Sequence, residues 1–318
     1  MNLRIVKRII KEGLSMIVLE LKHNASMNTD KSISKMQYTL LRENHVIEKG
    51  MSMRNSRKGF GQEKVASLLD RLNLYFDRYF EQDSYFLKYP LATIKTYIVY
   101  TKRNGVNVDE IERNYNDLVS KTKFNDIEIN AGIVSISKAE IQENCNNDFE
   151  SLLKNRHSIR YFTDEIPNEN ILDKALTLAQ QTPSACNRQG WKTHVFVGNE
   201  SFSLIKWQGG ANGFAEEIHC AILVTTNLNA FLSYEYNQCY IDGGLYAMNL
   251  INSLHSLGLG TIPLSCGFYH NKLSRLKDFG IPENEVPIII IGVGCLLDNF
   301  HVAVSCRKSI SITNTYHK

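Results

Sequence analysis

Apolar side chains recur at helical spacing through the first 145 residues, and this periodicity constrains the fold of the chain more than any other feature. The clearest segment is Gln62–Phe80, where apolar residues follow one another at steps of three and four: Val65, Leu68, Leu69, Leu72, Phe76, Tyr79 and Phe80. The same spacing predicts helices over residues 35–50, 90–105 and 109–122. We therefore expect an α-helical N-terminal domain of residues 1–146.

Short apolar runs typical of buried strands follow in the second half of the chain. His194–Val197, Cys220–Thr225 and Val286–Gly292 are predicted strands, and the continuous apolar character of Cys220–Thr225 predicts a central position. Tyr236–Leu257 is predicted to be a long helix, although two adjacent glycines in its interior cost about 1 kcal/mol each relative to alanine. We expect the close approach of another backbone to compensate for this cost. Residues 147–318 are therefore predicted to form an α+β domain.

Composition excludes several classes of protein. A net charge of +3 and a hydrophobic content of 43% do not provide the strongly basic surface that nucleic-acid binding requires. The seven cysteines form no Cys-x-x-Cys pair, so neither a disulfide framework nor a zinc site is predicted, and a reducing cytoplasm is the expected location. His45 and Glu48, three residues apart, are expected to share a structural hydrogen bond rather than a metal ion.

The first 21 residues combine basic and apolar side chains. Four basic residues precede the apolar run Leu14–Leu19, which is too short to span a membrane and lacks a signal-peptide cleavage pattern. Helical spacing brings five apolar residues near one face: Val6, Ile9, Ile10, Ile17 and Leu21. We expect a basic amphipathic helix that packs on its own domain, with docking of residues 1–21 to a membrane surface as the alternative.

Two polar stretches carry side chains suited to binding a ligand. In Arg156-His157-Ser158-Ile159-Arg160, two guanidinium groups and a hydroxyl alternate, so an extended backbone would aim all three in one direction. In Thr182–Trp191, small and amide-bearing residues form a polar turn with open backbone donors, which would fit a flat polar ligand. We expect the two stretches to form one site.

In this order, the two stretches resemble the nitroreductase family of FMN-dependent oxidoreductases, whose domain begins with Arg-x-Ser-x-Arg followed by Pro-Ser-x-x-Asn-x-Gln-Pro-Trp. The resemblance covers about residues 147–318. It implies a nitroreductase-like α+β fold, in which a central, mostly antiparallel sheet is flanked by helices. It also implies a homodimer with FMN at the subunit interface and NADH or NADPH as electron donor.

The resemblance also implies roles for individual residues. Arg156 and Ser158 would contact the FMN phosphate, Arg160 would lie near the pyrimidine edge of the flavin, and Asn187 and Gln189 would hydrogen-bond that edge. The predicted cofactor-binding residues are Arg156, His157, Ser158, Arg160, Pro183, Ser184, Asn187, Gln189, Leu264, Ser265, Cys266, Gly267, Ser305 and Arg307. The chemistry itself would belong to the flavin, so no side chain is predicted to be catalytic.

Several positions depart from the family pattern. Ser305 and Cys306 replace the first two residues of a Lys-Ser-Arg phosphate clamp, in which Arg307 matches. Gly190 replaces the proline before Trp191, and Leu264-Ser265 replaces a glutamate-bearing loop. The missing lysine removes one positive charge from the implied phosphate site.

The resemblance predicts an enzyme that passes two electrons from NAD(P)H to a small nitro- or quinone-like acceptor by a ping-pong route. The pattern His45-x-x-Glu48-Lys49-Gly50 also resembles the N-terminal extension of nitroreductase-like proteins found with bacterial polysaccharide-synthesis proteins. The alternative is therefore a noncatalytic or flavin-modifying partner protein of such a system. Alternation in Lys308–Thr315 further predicts an edge strand that crosses to a partner subunit.

Overall fold

The computed structural model describes residues 3–23, 29–124, 127, 129–144, 148–231, 235, 237–268 and 270–318. Its helices are α1 (Leu3–His23), α2 (Ile33–Met51), α3 (Gln62–Tyr79), α4 (Lys88–Arg103), α5 (Asp109–Thr122), α6 (Lys138–Asn144), α7 (Phe149–Asn155), α8 (Glu169–Ala179), α9 (Asn199–Gln208), α10 (Gln238–Ser256), α11 (His270–Leu273) and α12 (Ile310–Thr313). Its strands are β1 (Ile133–Ser137), β2 (Trp191–Val197), β3 (Cys220–Asn227), β4 (Leu259–Ser265), β5 (Glu285–Cys295) and β6 (Asn299–Ala303).

The chain divides into two compact units. One contains residues 10–134 and 301–318, and the other contains residues 1–9 and 135–300. Strands β1 and β6 pair with each other in a two-stranded sheet, and the chain passes from one unit to the other within each of them. The predicted boundary between residues 146 and 147 lies outside the described residues and stays a prediction.

The unit of residues 10–134 and 301–318 has a helical core. Apolar side chains of α2, α3, α4 and α5 pack together, among them Leu40, Leu72 and Ile94, which are fully buried. Gly50 lies near the end of α2, which continues to Met51. A side chain at Gly50 would collide with the Phe60 ring, whose nearest atom is 2.1 Å from the position of a Cβ.

Glu48 of α2 is fully buried and binds the backbone rather than His45. Its Oε1 accepts a hydrogen bond from the Gly132 backbone N–H at 3.2 Å. The distance from His45 Nδ1 to Glu48 Oε2 is 3.9 Å, which is too long for the hydrogen bond that the sequence predicts between them.

The unit that contains residues 135–300 is built on a four-stranded antiparallel sheet in the order β2-β3-β5-β4. Strand β3 is central and almost entirely buried, as its continuous apolar sequence predicts. Helix α10 packs on β3, β4 and β5, α8 packs on α10, and α9 packs on β2 and β3. This arrangement confirms the predicted α+β class, a mostly antiparallel sheet flanked by helices.

The two interior glycines of α10 have different surroundings. A Cβ at Gly243 would lie 2.5 Å from Cγ1 of Ile288 and 2.9 Å from Cγ2 of Thr226, so this glycine lets the helix pack closely on the sheet. Side chains therefore make the close approach, and the prediction of another backbone is wrong at this position. A Cβ at Gly244 would meet no atom within 4 Å.

The two ends of the chain differ from their predictions. Helix α1 forms, but Ile9, Ile10 and Ile17 are exposed, so the expected packing of its apolar face is wrong for these described side chains. Residues Ile310–Thr313 form a short helix instead of an edge strand, because Ser309 caps it by accepting a hydrogen bond from the Ser311 N–H. No helix in the described ranges combines the length and the apolar character that crossing a bilayer requires.

Candidate functional site

Helix α7 leads directly into the basic stretch. Asp148 caps the start of α7 through the Ser151 N–H, and Arg156 ends it with its N–H on the Leu152 carbonyl. The chain then runs extended beside β4, where Ser158 bridges to Thr261 and the Ile159 N–H donates to the Thr261 carbonyl at 2.9 Å. An extended backbone alternates its side chains, which is what the Arg-x-Ser-x-Arg spacing predicts.

The surroundings of this stretch are electropositive. Burial and, after it, the charges of Arg156 and His157 lower the pKa of His255 on α10 from 6.5 to about 4, so this imidazole is neutral at neutral pH. Arg160 is buried, and its guanidinium carbon lies 6.0 Å from the centre of the Phe214 ring. A guanidinium held beside a ring in this way is oriented before any ligand binds.

The turn Thr182–Trp191 is held by hydrogen bonds at both ends. Ser184 Oγ accepts from the Gln189 N–H at 2.9 Å, and Asp242 Oδ2 of α10 accepts from the Ala185 N–H at 3.2 Å. Cys186 and Gln189 have positive φ angles of 51° and 48°, which shows how tightly the backbone bends here. Trp191 leaves the turn buried and stacks on Tyr246, with ring centres 4.9 Å apart.

Arg188 fastens the turn, and sequence reasoning missed it. Its two Nη atoms donate to both carboxylate oxygens of Glu235 at 2.7 Å, and its Nε donates to the Ala185 carbonyl at 3.0 Å. The guanidinium also lies 5.4 Å from the centre of the Phe231 ring. Asp242 was missed as well, although a lone carboxylate within the apolar sequence of a long helix is a recognisable signal of a buried polar contact.

Gly190 stands where the family pattern has proline, and a side chain at this position would be crowded. A Cβ at this position would lie 3.0 Å from Cβ of Ala230 and 3.1 Å from the Phe231 ring. The same Phe231 ring therefore lies beside Arg188 and crowds residue 190.

The two polar stretches lie at opposite ends of α10. The turn reaches the helix at Asp242 through Ala185, whereas Arg156 and His157 act on His255. His255 follows Asp242 by thirteen positions in the helix, which is roughly 20 Å at 1.5 Å per residue. A rigid helix therefore holds the two stretches apart within one chain, and their joining into one site at a subunit interface stays a prediction.

Other predicted residues of this unit lie at the end of β4 and on the turn. Leu264 and Ser265 end β4 and lead into Cys266 and Gly267, where the Ser265 carbonyl accepts from Gln208 Nε2 at 3.0 Å and burial raises the pKa of the Cys266 thiol to about 12. Pro183 and Gln189 are exposed on the turn, and the side chain of Asn187 lies outside the described part of the structure.

Ser305 and Arg307 belong to the other compact unit. Ser305 has a positive φ of 51°, and its carbonyl accepts from Nη1 of the exposed Arg307. Between them, Cys306 Sγ donates to the Asn130 carbonyl at 2.6 Å, which ties this segment to residues 10–134. The structure therefore does not bring Ser305 and Arg307 into the unit that contains the other twelve predicted residues.

A helix-flanked antiparallel sheet places this part of the chain in the α+β class, and it carries a basic extended segment and a polar turn. The family model described as Nitroreductase family matches residues 153–295, which include both polar stretches, α8 to α10 and β2 to β5. This middle part of the chain is thus nitroreductase-like.

Two curated relatives share the provisional name NADH dehydrogenase/NAD(P)H nitroreductase. The relative from Methanothermobacter thermautotrophicus is 26% identical over 150 residues, which are 46% of this chain and 76% of the relative. The relative from Archaeoglobus fulgidus is 26% identical over 147 residues, which are 45% and 82% of the two chains.

Solved structures also resemble the chain. A provisionally named nitroreductase in complex with FMN from Exiguobacterium sibiricum is 18% identical, with a TM-score of 0.47 and coverage of 54% of this chain and 98% of that one. A provisionally named NAD(P)H:FMN oxidoreductase from Staphylococcus epidermidis is 21% identical, with a TM-score of 0.47 and coverage of 54% and 96%.

Proposed function

We propose that this chain is an FMN-dependent oxidoreductase that passes two electrons from NADH or NADPH to a small nitro- or quinone-like acceptor by a ping-pong route. The observation that carries the proposal is the set of donors on Arg156, Ser158 and Arg160, held extended against β4 within the segment that matches the nitroreductase family. Two guanidinium groups and a hydroxyl fit a ligand that combines a phosphate with a polar ring edge.

The segments at the two ends of α10 would together hold FMN. Arg156 and Ser158 bind the phosphate, with the neutral His255 beside them adding no charge. Arg160 places a fixed positive charge at the pyrimidine edge of the ring, and the exposed side-chain amide of Gln189 would hydrogen-bond the same edge. The ring of a bound FMN would supply the hydride-accepting group.

A second copy of the chain would complete this site. In a two-fold pairing of antiparallel α10 helices, the Asp242 end of one helix lies beside the His255 end of the other, so the turn of one copy meets Arg156–Arg160 of its partner. The face that would make this contact is apolar and exposed within one chain: Tyr240, Ile241, Leu245 and Met248. The open space at Gly244 would let the two helices approach closely.

Absorbance spectroscopy tests the proposal directly. The purified protein is expected to be yellow and to bleach anaerobically when NADH or NADPH is added, and a quinone should restore the colour. Reduced protein that has been separated from NAD(P)+ by gel filtration and is still re-oxidised by the quinone supports the ping-pong route, because the first product then leaves before the acceptor binds. A protein that stays colourless after incubation with FMN, or a yellow protein that neither nicotinamide bleaches, would instead favour a noncatalytic partner of a polysaccharide-synthesis system.

A further inference from the structure

Helix α1 accounts for the whole net charge of the chain. Leu3–His23 contains five Lys or Arg and two Glu, while the complete sequence contains 36 and 33. The rest of the chain therefore holds 31 residues of each sign, and its formal charge is zero. Such an asymmetry indicates that the basic segment meets an anionic partner.

The same helix exposes a stripe of large apolar side chains. Leu3, Ile10, Leu14 and Ile17 are 71%, 56%, 58% and 56% exposed, and their steps of seven, four and three residues place them along one side of the helix. Lys7 and Lys11 are exposed and lie one helical turn apart, on the flank of the side that carries these apolar residues. A basic edge therefore runs beside the apolar stripe.

We propose that α1 lies flat on the surface of an anionic phospholipid bilayer. The apolar stripe would enter the boundary between headgroups and acyl chains, and Lys7 and Lys11 would meet lipid phosphates. The helix is roughly 30 Å long at 1.5 Å per residue, so the stripe forms several contacts with one surface. This docking is independent of the proposed redox function.

Other occupants fit this surface less well. A second copy of α1 would bring a net charge of +3 on one helix against the same charge on the other, which opposes association. Nucleic acid would use the lysines but would leave the apolar stripe in water. An anionic bilayer would contact both the apolar stripe and the basic edge of the helix.

Vesicle flotation with the full-length protein tests the inference. The protein is expected to float with vesicles of phosphatidylglycerol and phosphatidylcholine in equal parts and to remain below vesicles of phosphatidylcholine alone. Ile10→Asp should lower the affinity for anionic vesicles at least about tenfold, because it places a charge at the acyl boundary. Lys7→Glu should lower it about tenfold or more, and high salt should weaken the binding of the parent protein.

Matched variants separate the helix from the rest of the surface. Ile312→Asp changes an equally exposed isoleucine (55%) in α12, and Lys95→Glu reverses an exposed charge in α4, so both should float like the parent protein. The inference is overturned if the parent does not float with anionic vesicles, if it binds both lipid mixtures equally, or if Ile10→Asp floats like the parent. A halved mass of Ile10→Asp in light scattering would assign the stripe to a second copy and also overturn it.

Discussion

Arg156 is the residue on which the proposed phosphate contact depends most. Arg156→Ala should weaken FMN binding at least about tenfold, since a charged hydrogen bond is worth roughly 1.5–3 kcal/mol. Arg307→Ala should have a smaller effect, because Arg307 is exposed and bonds Ser305. Flavin content after dialysis measures both, with Arg275→Ala, a change in an exposed pair with Asp278, as the control. Equal flavin in Arg156→Ala and the parent would contradict the assignment.

Arg188 is predicted to act on the flavin indirectly, by holding the turn. Arg188→Ala, Glu235→Ala and the double variant should each lower FMN affinity by roughly the same factor, about twofold to fivefold, because any one of them breaks the pair. Fluorescence titration of FMN measures this. Additive losses in the double variant would show that the two residues act separately.

His255 should make stability depend on pH. Its pKa is lowered to about 4 in the folded protein by burial and by the charges of Arg156 and His157, from 6.5 in the unfolded chain. The unfolded chain therefore binds the proton first as pH falls, so this stability is complete above about pH 6.5 and is lost progressively towards pH 4. Urea unfolding should lose about 2 kcal/mol between pH 7 and pH 5 in the parent and in the exposed control His317→Gln, but less in His255→Gln.

At the scale of elements, the adjacent glycines of α10 offer a matched pair. Gly243→Ala should destabilise the fold by about 1–3 kcal/mol, because the new methyl would press on Ile288 and Thr226. Gly244→Ala should stabilise one chain by about 0.5–1 kcal/mol, since alanine favours the helix and open space surrounds the position. Urea unfolding in dilute solution compares them. Similar gains in stability in both variants would show that helix propensity, not packing, governs this region.

Most elements follow from the local sequence. Helices α2 to α5 and strands β2, β3 and β5 form where apolar periodicity predicts them, because spacing along the chain decides which face each can bury. The tail was predicted wrongly because alternation over a few residues is weak evidence against a capping serine such as Ser309. The turn that precedes Trp191 was predicted, but its fastening by Glu235, 47 residues away, has no local signal.

For the whole molecule, the proposed flavin site depends on the proposed homodimer, because each copy of the chain would supply part of it. Leu245→Glu would place a carboxylate within the α10 pairing and should weaken the dimer at least about 100-fold. Light scattering should show half the mass of the parent, and flavin absorbance should fall in parallel. Val99→Glu, at a similarly exposed position in α4, should change neither. A monomeric Leu245→Glu that keeps its flavin would separate the site from the interface.

By itself, the sequence determined the α+β class, the helical N-terminal segment and the residue types that suit a phosphate and a flat ring, because these depend on spacing and chemistry within short stretches. Only the tertiary structure decided that Arg156–Arg160 and Thr182–Trp191 lie at opposite ends of α10, and that residues 301–318 join residues 10–134. It also decided that the apolar stripe of α1 is exposed. The physical reason is that distance along the chain does not set distance in space: a rigid helix keeps neighbouring motifs apart, and packing elsewhere brings remote segments together.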